Sequence, residues 1–422
     1  MTSASSATAQ VRRSLPKRYA RERRFRLLGL AAIVLTLLFL VLLLGSIFLK
    51  GWTAFQQTHV RLDVYFDPAR LDVSNLNHAD YGALVRDSLQ EIFPEAESRI
   101  ERQQLNRLMS SGAAFILQDI LTASPELIGT THSLWLPADD EVDMLIKGHT
   151  PRGVPESARR LSDRQLAWID SLLAQERLEK HFNTAFFKNG DSREPELAGV
   201  RGAIMGSFYT LMLTLALSFP IGVAAAVYLE EFAPKNMFTD IVEVNINNLA
   251  AIPSIIFGLL GLAVFLNFFG LPRSSSIVGG LVLTLMTLPT IIIASRASLK
   301  AVPPSIREAA LAVGASKMQT IFHHVLPLAL PGMLTGTIIG MAQALGETAP
   351  LLMIGMVAFI VDVPQSLQDP ATVLPVQIYL WADSPERGFI ERTSAAIMIL
   401  LLVLLVMNAT AVYLRNRFER RW

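Results

Sequence analysis

Six stretches of this 422-residue sequence carry almost no charge, and each is long enough to cross a lipid bilayer. A helix needs about 20 residues to span the hydrocarbon core. Because that core supplies no water to the backbone, the spanning segments must satisfy their own hydrogen bonds, as helices do. The sequence therefore predicts an all-α polytopic membrane protein with six transmembrane helices, at 27–49, 202–229, 244–272, 274–295, 325–361 and 393–414.

The fifth stretch differs from the others because it contains three prolines and one carboxylate, Glu347. Pro327 and Pro331 lie near its start, and Pro350 follows Glu347. Proline removes a backbone donor and interrupts a helix interior. We expect a span with irregular ends and a short re-entrant piece after Glu347.

Basic residues set the predicted orientation. Eight Lys or Arg residues precede Leu27, and positively charged segments stay on the cytoplasmic side. The first stretch is too long for a signal-peptide core and lacks a small-residue cleavage site, so 1–26 is predicted as a cytoplasmic tail and 27–49 as an uncleaved signal anchor. A chain that crosses the membrane six times ends on the side where it began, so the basic tail 415–422 is also predicted to be cytoplasmic. We expect a multi-pass protein of the cell inner membrane with both termini cytoplasmic. Loop 230–243 departs from the positive-inside pattern, because it has four acidic residues and one lysine but is predicted to be cytoplasmic.

Residues 51–200 have an ordinary soluble composition and predict an α+β extracytoplasmic domain. Alternation over 60–66 predicts a strand, and helical spacing appears at 79–93, 97–110 and 160–187. Scattered histidines and the absence of cysteine predict no metal site. Residues 51–201 contain 23 acidic and 16 basic residues, a segregation of charge that favours membrane topology and argues against a nucleic-acid partner.

The predicted cytoplasmic loop 296–325 carries strong helix signals. Ser305 and Glu308 form the S-x-x-E pattern of a capping box, so we predict a helix that starts at Ser305 with Glu308 as its cap. Gly314 is a natural C-terminal residue for that helix. Ser316 and Gln319 then form a second capping box. The loop is predicted to be a helix-turn-helix along the inner membrane face.

This loop resembles the EAA loop in the membrane subunits of ABC importers. The resemblance rests on Glu308-Ala309-Ala310, on Gly314 four residues later, and on Leu326-Pro327. It implies that the loop forms coupling helices that dock into a groove of an ABC ATPase subunit. The alternative is a loop that only connects two spans. The ATPase-coupling candidates are Ser305, Glu308, Ala309, Ala310, Gly314 and Ser316.

Flanking motifs give a closer resemblance, to phosphate ABC importer permeases of the PstA family in a long form. These motifs are Leu288-Pro289, 299–303 and 344–352. The resemblance implies a type I, MetI-like permease core over 202–414, a second permease subunit of different sequence, and a periplasmic phosphate-binding protein. Relatives carry arginine where this chain has Gln343 and Ile293, so sulfate, molybdate or phosphonate remain alternatives to phosphate.

Glu347 is the one charged residue within a predicted span. Gly336, Gly340, Gln343 and Glu347 are spaced for one helix face. One interpretation is a packing stripe in which Glu347 braces a neighbouring helix, and the other is a group that lines the substrate route. Arg296 is either its local partner or an ordinary membrane anchor. The translocation-path candidates are Gln343, Glu347, Thr348 and Arg296.

No phosphate-binding P-loop pattern occurs, so the chain is predicted to be a transport subunit that needs no cofactor, is not an enzyme, and contacts membrane lipid. ATP hydrolysis would belong to the partner ATPase. A secondary transporter that uses Glu347 is a competing hypothesis, but it would usually show an internal hydropathy repeat. A third hypothesis is a membrane-anchored sensor, but a sensor would need an attached output module.

Overall fold

The computed structural model describes residues 3–71, 76, 79–357 and 359–418. The chain divides into two compact units, residues 1–50 and residues 51–422. Two parts of the predicted tails, residues 1–2 and 419–422, lie outside the described residues.

The first unit is helix α1, Ser3–Gly51, which contains the predicted signal anchor. Between residues 27 and 49, apolar side chains are exposed on opposite faces of this helix, as at Leu35 (67%) and Leu37 (55%). This uncharged part of α1 is long enough to cross a bilayer and is suited to lipid surroundings.

In the second unit, residues 51–200 form a three-stranded antiparallel sheet covered by helices. The strand order is β2-β1-β3, with β1 at Gln56–Tyr65, β2 at Thr131–Pro137 and β3 at Leu178–Phe182. Val60, Leu62 and Val64 are fully buried on one sheet face. Six helices belong to this part: α2 Tyr81–Ile92, α3 Arg99–Asn106, α4 Gly112–Ala123, α5 Asp140–Ile146, α6 Asp163–Ala174 and α7 Thr184–Lys188.

The strand predicted at 60–66 and the helices predicted at 79–93 and 97–110 are confirmed, whereas the continuous helical segment at 160–187 is wrong. Helix α6 begins with a capping box between Ser162 and Gln165 and ends at Ala174. Glu176 adopts a left-handed backbone conformation (φ 54°), which reverses the chain into β3.

Ten helices follow in residues 201–418. They are α8 Arg201–Val227, α9 Met237–Ala250, α10 Ser254–Gly261, α11 Ser276–Ala301, α12 Pro304–Ala312, α13 Lys317–Gln319, α14 Leu326–Gly346, α15 Ala349–Met353, α16 Leu374–Ala382 and α17 Gly388–Phe418. Five helices of the described chain are long and apolar enough to span a membrane, or six if the bent pair Met237–Ala250 and Ser254–Phe268 is one span.

The predicted span 244–272 is therefore not one straight helix. The two parts of the bent pair meet at 101°. Pro253 lies at the break and disfavours a helical conformation in the residue before it, which accounts for the end of α9.

Helix α11 lies at the centre of the permease part, against α8 and α14. A Cβ atom on Gly222 of α8 would lie 2.7 Å from Cγ2 of Ile291, and one on Gly336 of α14 would lie 2.2 Å from Cβ of Ala294. Such small residues let helix backbones approach closely where a bilayer supplies no hydrophobic drive for packing.

The stretch 325–361 is also not a single span. Helix α14 ends at Gly346, and Glu347 has an extended backbone (φ −76°, ψ 128°). The short helix α15 follows, where a re-entrant piece was predicted. The helical face shared by Gly336 and Gly340 thus stops before Glu347, which corrects the prediction of a continuous stripe.

A buried charge cluster joins residues 51–200 to the start of α17. Lys147 Nζ lies 2.7 Å from Asp143 Oδ2 and 3.0 Å from Glu391 Oε1, and its side chain is 1% exposed. Asp143 Oδ1 also accepts hydrogen bonds from the backbone N–H and the hydroxyl of Thr58. Burial, together with the neighbouring carboxylates, raises the pKa of nearby Asp140 to about 7. Lys147 therefore pairs with two buried carboxylates at once, and the buried Arg392 places a second cation near Asp140.

Replacing Lys147 by Met should strongly destabilise this joint, because Asp143 and Glu391 would stay buried without their cation. Removing one partner of a buried ion pair typically costs about 3–5 kcal/mol. We expect a clearly lower thermal unfolding temperature in detergent, partly restored by adding Glu391→Gln. Lys188→Met alters an exposed lysine and is the control. Equal unfolding temperatures for Lys147→Met and Lys188→Met would contradict this account.

Candidate functional site

Helix α12 of the predicted coupling loop begins differently from its predicted start. Its N-cap is Pro303, its first helical residue is Pro304, and no side chain caps it. The capping box predicted from Ser305 and Glu308 is therefore wrong. A proline in the first turn has no N–H to satisfy, which favours this earlier start. Ser305 and Glu308 are instead exposed on the helix surface.

The turn after α12 matches its prediction. Gly314 has φ +90°, its N–H donates to Leu311 O, and the N–H of Ala315 donates to Ala310 O. This pair of bonds is the Schellman motif, which satisfies the last carbonyls of a helix. A Cβ on Gly314 would meet no atom within 4 Å, so its backbone conformation, rather than space, requires glycine.

The second predicted helix start is confirmed as well. Ser316 and Gln319 form a reciprocal capping box at α13. The chain continues through a π-helical turn, Thr320–Val325, directly into α14. Helix α13 is thus continuous with the membrane-spanning helix α14.

Four large apolar side chains form an exposed patch on this helix-turn-helix, and none of them was among the predicted coupling residues. The patch consists of Leu311, Val313, Met318 and Phe322, which are 51%, 84%, 57% and 47% exposed. Ala309 is exposed beside them, whereas Ala310 is buried. The missed signal is the recurrence of large apolar residues near the turn at Gly314. Such a patch on a polar loop marks an interaction site.

Arg307 fixes α12 to two other helices. Its guanidinium Nη2 lies 2.5 Å from Glu231 Oε1, in the segment that continues α8. The same side chain donates to Val302 O at 2.7 Å and to Leu299 O at 3.0 Å, at the end of α11. A planar guanidinium can serve a carboxylate and backbone carbonyls together, which an ammonium group does less well. Motion of α12 is therefore tied to α8 and α11.

Arg296 makes a second set of ion pairs at the same end of the bundle. It pairs with Glu243 of α9, and its Nε lies 3.4 Å from Glu230 Oε2. Lys300 Nζ lies 3.6 Å from the same Glu230 oxygen. The hypothesised pair of Arg296 with Glu347 is not formed. Three of the four acidic residues in the loop that disagreed with the positive-inside pattern are thus paired with cations of α11 and α12.

The remaining path candidates lie near the far end of α14. Glu347 is half-buried, and its carboxylate has no hydrogen-bond or ion-pair partner among the residues that the structure describes. Gln343 is exposed, and Thr348 is half-buried at the start of α15. Of the coupling candidates, Ala310 is buried and the others are exposed, while Arg296 is separated from the other three path candidates.

Two family models match this chain. One is described as the binding-protein-dependent transport system inner membrane component and matches residues 218–422. The other is described as a domain of unknown function and matches residues 12–156.

Several bacterial permeases are similar in sequence. A probable ABC transporter permease protein of Bacillus subtilis, YqgI, is 36% identical over 155 residues, which cover 36% of this chain and 52% of that one. A second, YqgH, is 33% identical over 57% of this chain and 77% of its own length. The phosphate transport system permease protein PstA of Haemophilus influenzae is 31% identical over 54% of this chain and 78% of its own.

Among solved structures, the inward-facing MetNI methionine ABC transporter aligns with a TM-score of 0.42 and 20% identity, over 52% of this chain and 97% of that one. The sequence relationship, with relatives covered over three quarters of their length, decides the family. This chain belongs to the family of binding-protein-dependent ABC transporter permeases, the inner membrane components of ABC importers.

Proposed function

We propose that this chain is the membrane-spanning permease subunit of an importer for inorganic phosphate, driven by a separate ATPase that docks on the loop 304–325. As a permease subunit it is a transport protein and not an enzyme. The observation that carries the proposal is the exposed apolar patch around Gly314, on a helix pair that is tied to the spans.

The proposed coupling follows from the contacts of this loop. An ATPase groove would cover Leu311, Val313 and Met318, which removes apolar surface from water and stabilises the complex. Movement of the ATPase would then displace α12. Because Arg307 connects α12 to Glu231 and to the end of α11, the displacement would reach two of the permease helices.

The names of relatives support phosphate as the substrate, since several are called phosphate transport permeases. At the two positions where relatives carry arginine, this chain has Gln343 and Ile293. We therefore propose that a second permease subunit supplies the positive charge along the anion path. A periplasmic phosphate-binding protein would deliver the anion. Sulfate, molybdate and phosphonate are the alternative substrates.

Docking of the ATPase depends on the left-handed turn at Gly314. Gly314→Val should distort this turn, since a left-handed conformation costs a residue with a Cβ about 1–2 kcal/mol, and Glu308→Lys should reverse a charge on the exposed surface of α12. We expect both variants to insert into the membrane but to lose the ATPase on co-purification. Gly270→Val is the control, because Gly270 also has positive φ (+65°) and open space but lies outside the loop. Retention of the ATPase by both loop variants would refute this docking site.

The orientation proposed here places 51–200 outside and the loop 304–325 inside, with both termini in the cytoplasm. The chain has no cysteine, so single cysteines report cleanly. We expect an impermeant thiol reagent on intact spheroplasts to label Arg99→Cys and to spare Lys235→Cys until the membrane is permeabilised. Both positions are exposed in the folded chain, so burial does not decide the result. Labelling in the reverse order would require the inverted topology.

Glu347 is proposed to pair with a cation of the second permease. Glu347→Gln would leave that cation unpaired, and losing one partner of a desolvated pair costs about 3–5 kcal/mol. Phosphate uptake should therefore collapse, and Arg296→Gln should not restore it, because Arg296 pairs with Glu230 and Glu243. Glu126→Gln changes an exposed carboxylate and is the control. Normal uptake by Glu347→Gln would remove Glu347 from the path.

A further inference from the structure

A cleft of about 440 Å³ lies within residues 51–200, in the part of the chain to which no function has been assigned. Its walls come from α2, α3, α4 and the segment 194–196. Small-molecule sites in proteins are typically of this size, with a few fixed polar groups. The charged residues on its walls are Arg86, Arg107, Asp139, Glu194 and Glu196.

Glu196 is the residue that marks this cleft as a built site. It is 2% exposed, its Oε1 accepts a hydrogen bond from the Ser110 hydroxyl at 2.7 Å, and its Oε2 has no partner among the described residues. Its backbone carbonyl accepts from Gln57 Nε2 at 2.8 Å, which holds the residue in place. A buried carboxylate that lacks part of its hydrogen bonding is costly unless a proton or a cation satisfies it.

The neighbouring charges increase this demand for a positive partner. Burial raises the pKa of Glu196 to about 7, and the nearby carboxylates of Asp139 and Glu194 add to the effect. Arg86 lies on the wall but is engaged by Asp80 at 2.8 Å. Arg107, an exposed residue, also lines the cleft, and its charge opposes the rise in the pKa of Asp139. The cleft therefore has three carboxylates and two arginines, and each arginine already lies near an acidic side chain.

A metal ion does not fit this demand, since the described residues contain no group of three ligands placed to hold one. An organic ammonium group does fit, because it brings a full positive charge and three N–H donors to carboxylate oxygens. We propose that the cleft binds a small molecule carrying a primary ammonium group, with Glu196 as the principal contact and Asp139 and Glu194 as supporting carboxylates.

The floor of the cleft is held rigid by the permease part. A Cβ on Gly388, the first residue of α17, would lie 2.8 Å from Pro195 Cβ and 1.9 Å from Asp140 Oδ1. The segment that carries Glu196 is thus packed directly against a membrane-spanning helix. Such support preorganises a binding group and reduces the ordering cost of binding.

The test uses the full chain in detergent, with putrescine and lysine as probes and isothermal titration calorimetry as the readout. We expect saturable binding of at least one probe and a loss of about tenfold or more in affinity for Glu196→Gln, which retains the size of the side chain and an acceptor for Ser110. Glu179→Gln, on the exposed part of β3, is the matched control and should bind normally.

The pH dependence supplies a second readout. Because an ammonium group favours the ionised form of Glu196, binding should release a proton and weaken as the pH falls from 8 to 6. The groups that face Glu196 across the cleft are Asp139, Glu194, Arg86 and Arg107, so Asp139→Asn should weaken binding less than Glu196→Gln. Binding unaffected by Glu196→Gln, no response to either probe, or saturable binding of inorganic phosphate alone would overturn the proposal. None of these outcomes depends on transport activity.

Discussion

The ion pairs at one end of the bundle hold the predicted coupling loop to the membrane helices. Glu231 engages Arg307, while Glu230 and Glu243 engage Arg296. Arg307 also donates to the carbonyls of Leu299 and Val302 at the end of α11, where backbone carbonyls run out of intrahelical donors. With side chains only 10–24% exposed for Glu231 and Arg307, these charges are poorly screened by salt. The position of α12 relative to α8 and α11 therefore depends on them.

The spans were the most predictable part because hydrophobic length is a local property of the sequence. The uncharged stretches identify α8, α11, α14 and α17 without knowledge of their neighbours. The turn at Gly314 was predictable for the same reason, since a left-handed C-terminus needs glycine. The break at Pro253 was missed because continuous hydrophobicity says nothing about direction. The start of α12 was missed because two prolines replaced the side-chain cap that the pattern suggested.

Charge pairing was the least predictable part, since it joins residues far apart in sequence. The acidic loop 230–243 looked like an exception to membrane topology, and Arg296 looked like a partner for Glu347. Both interpretations change once Arg296 lies against Glu230 and Glu243, 53 or more positions away. The cluster of Lys147 with Glu391 spans 244 positions and had no local signal. Such ion pairs form only when tertiary packing brings together helices that are far apart in the sequence, so no local pattern predicts them.

Glu196 Oε2 and the carboxylate of Glu347 have no partner among the described residues, and their surroundings imply different solutions. Glu196 lies in a water-facing domain beside Asp139 and Glu194, where burial raises its pKa to about 7, so a proton or a small cation can reach it from solution. Glu347 lies beyond the end of an apolar span, where water and free cations are scarce. The expected partner there is a fixed positive charge on an adjoining protein. This chain does not supply that charge along α14, because position 343 is glutamine where relatives carry arginine. The proposed partners of the two groups therefore differ: a soluble ligand for Glu196 and a neighbouring subunit for Glu347.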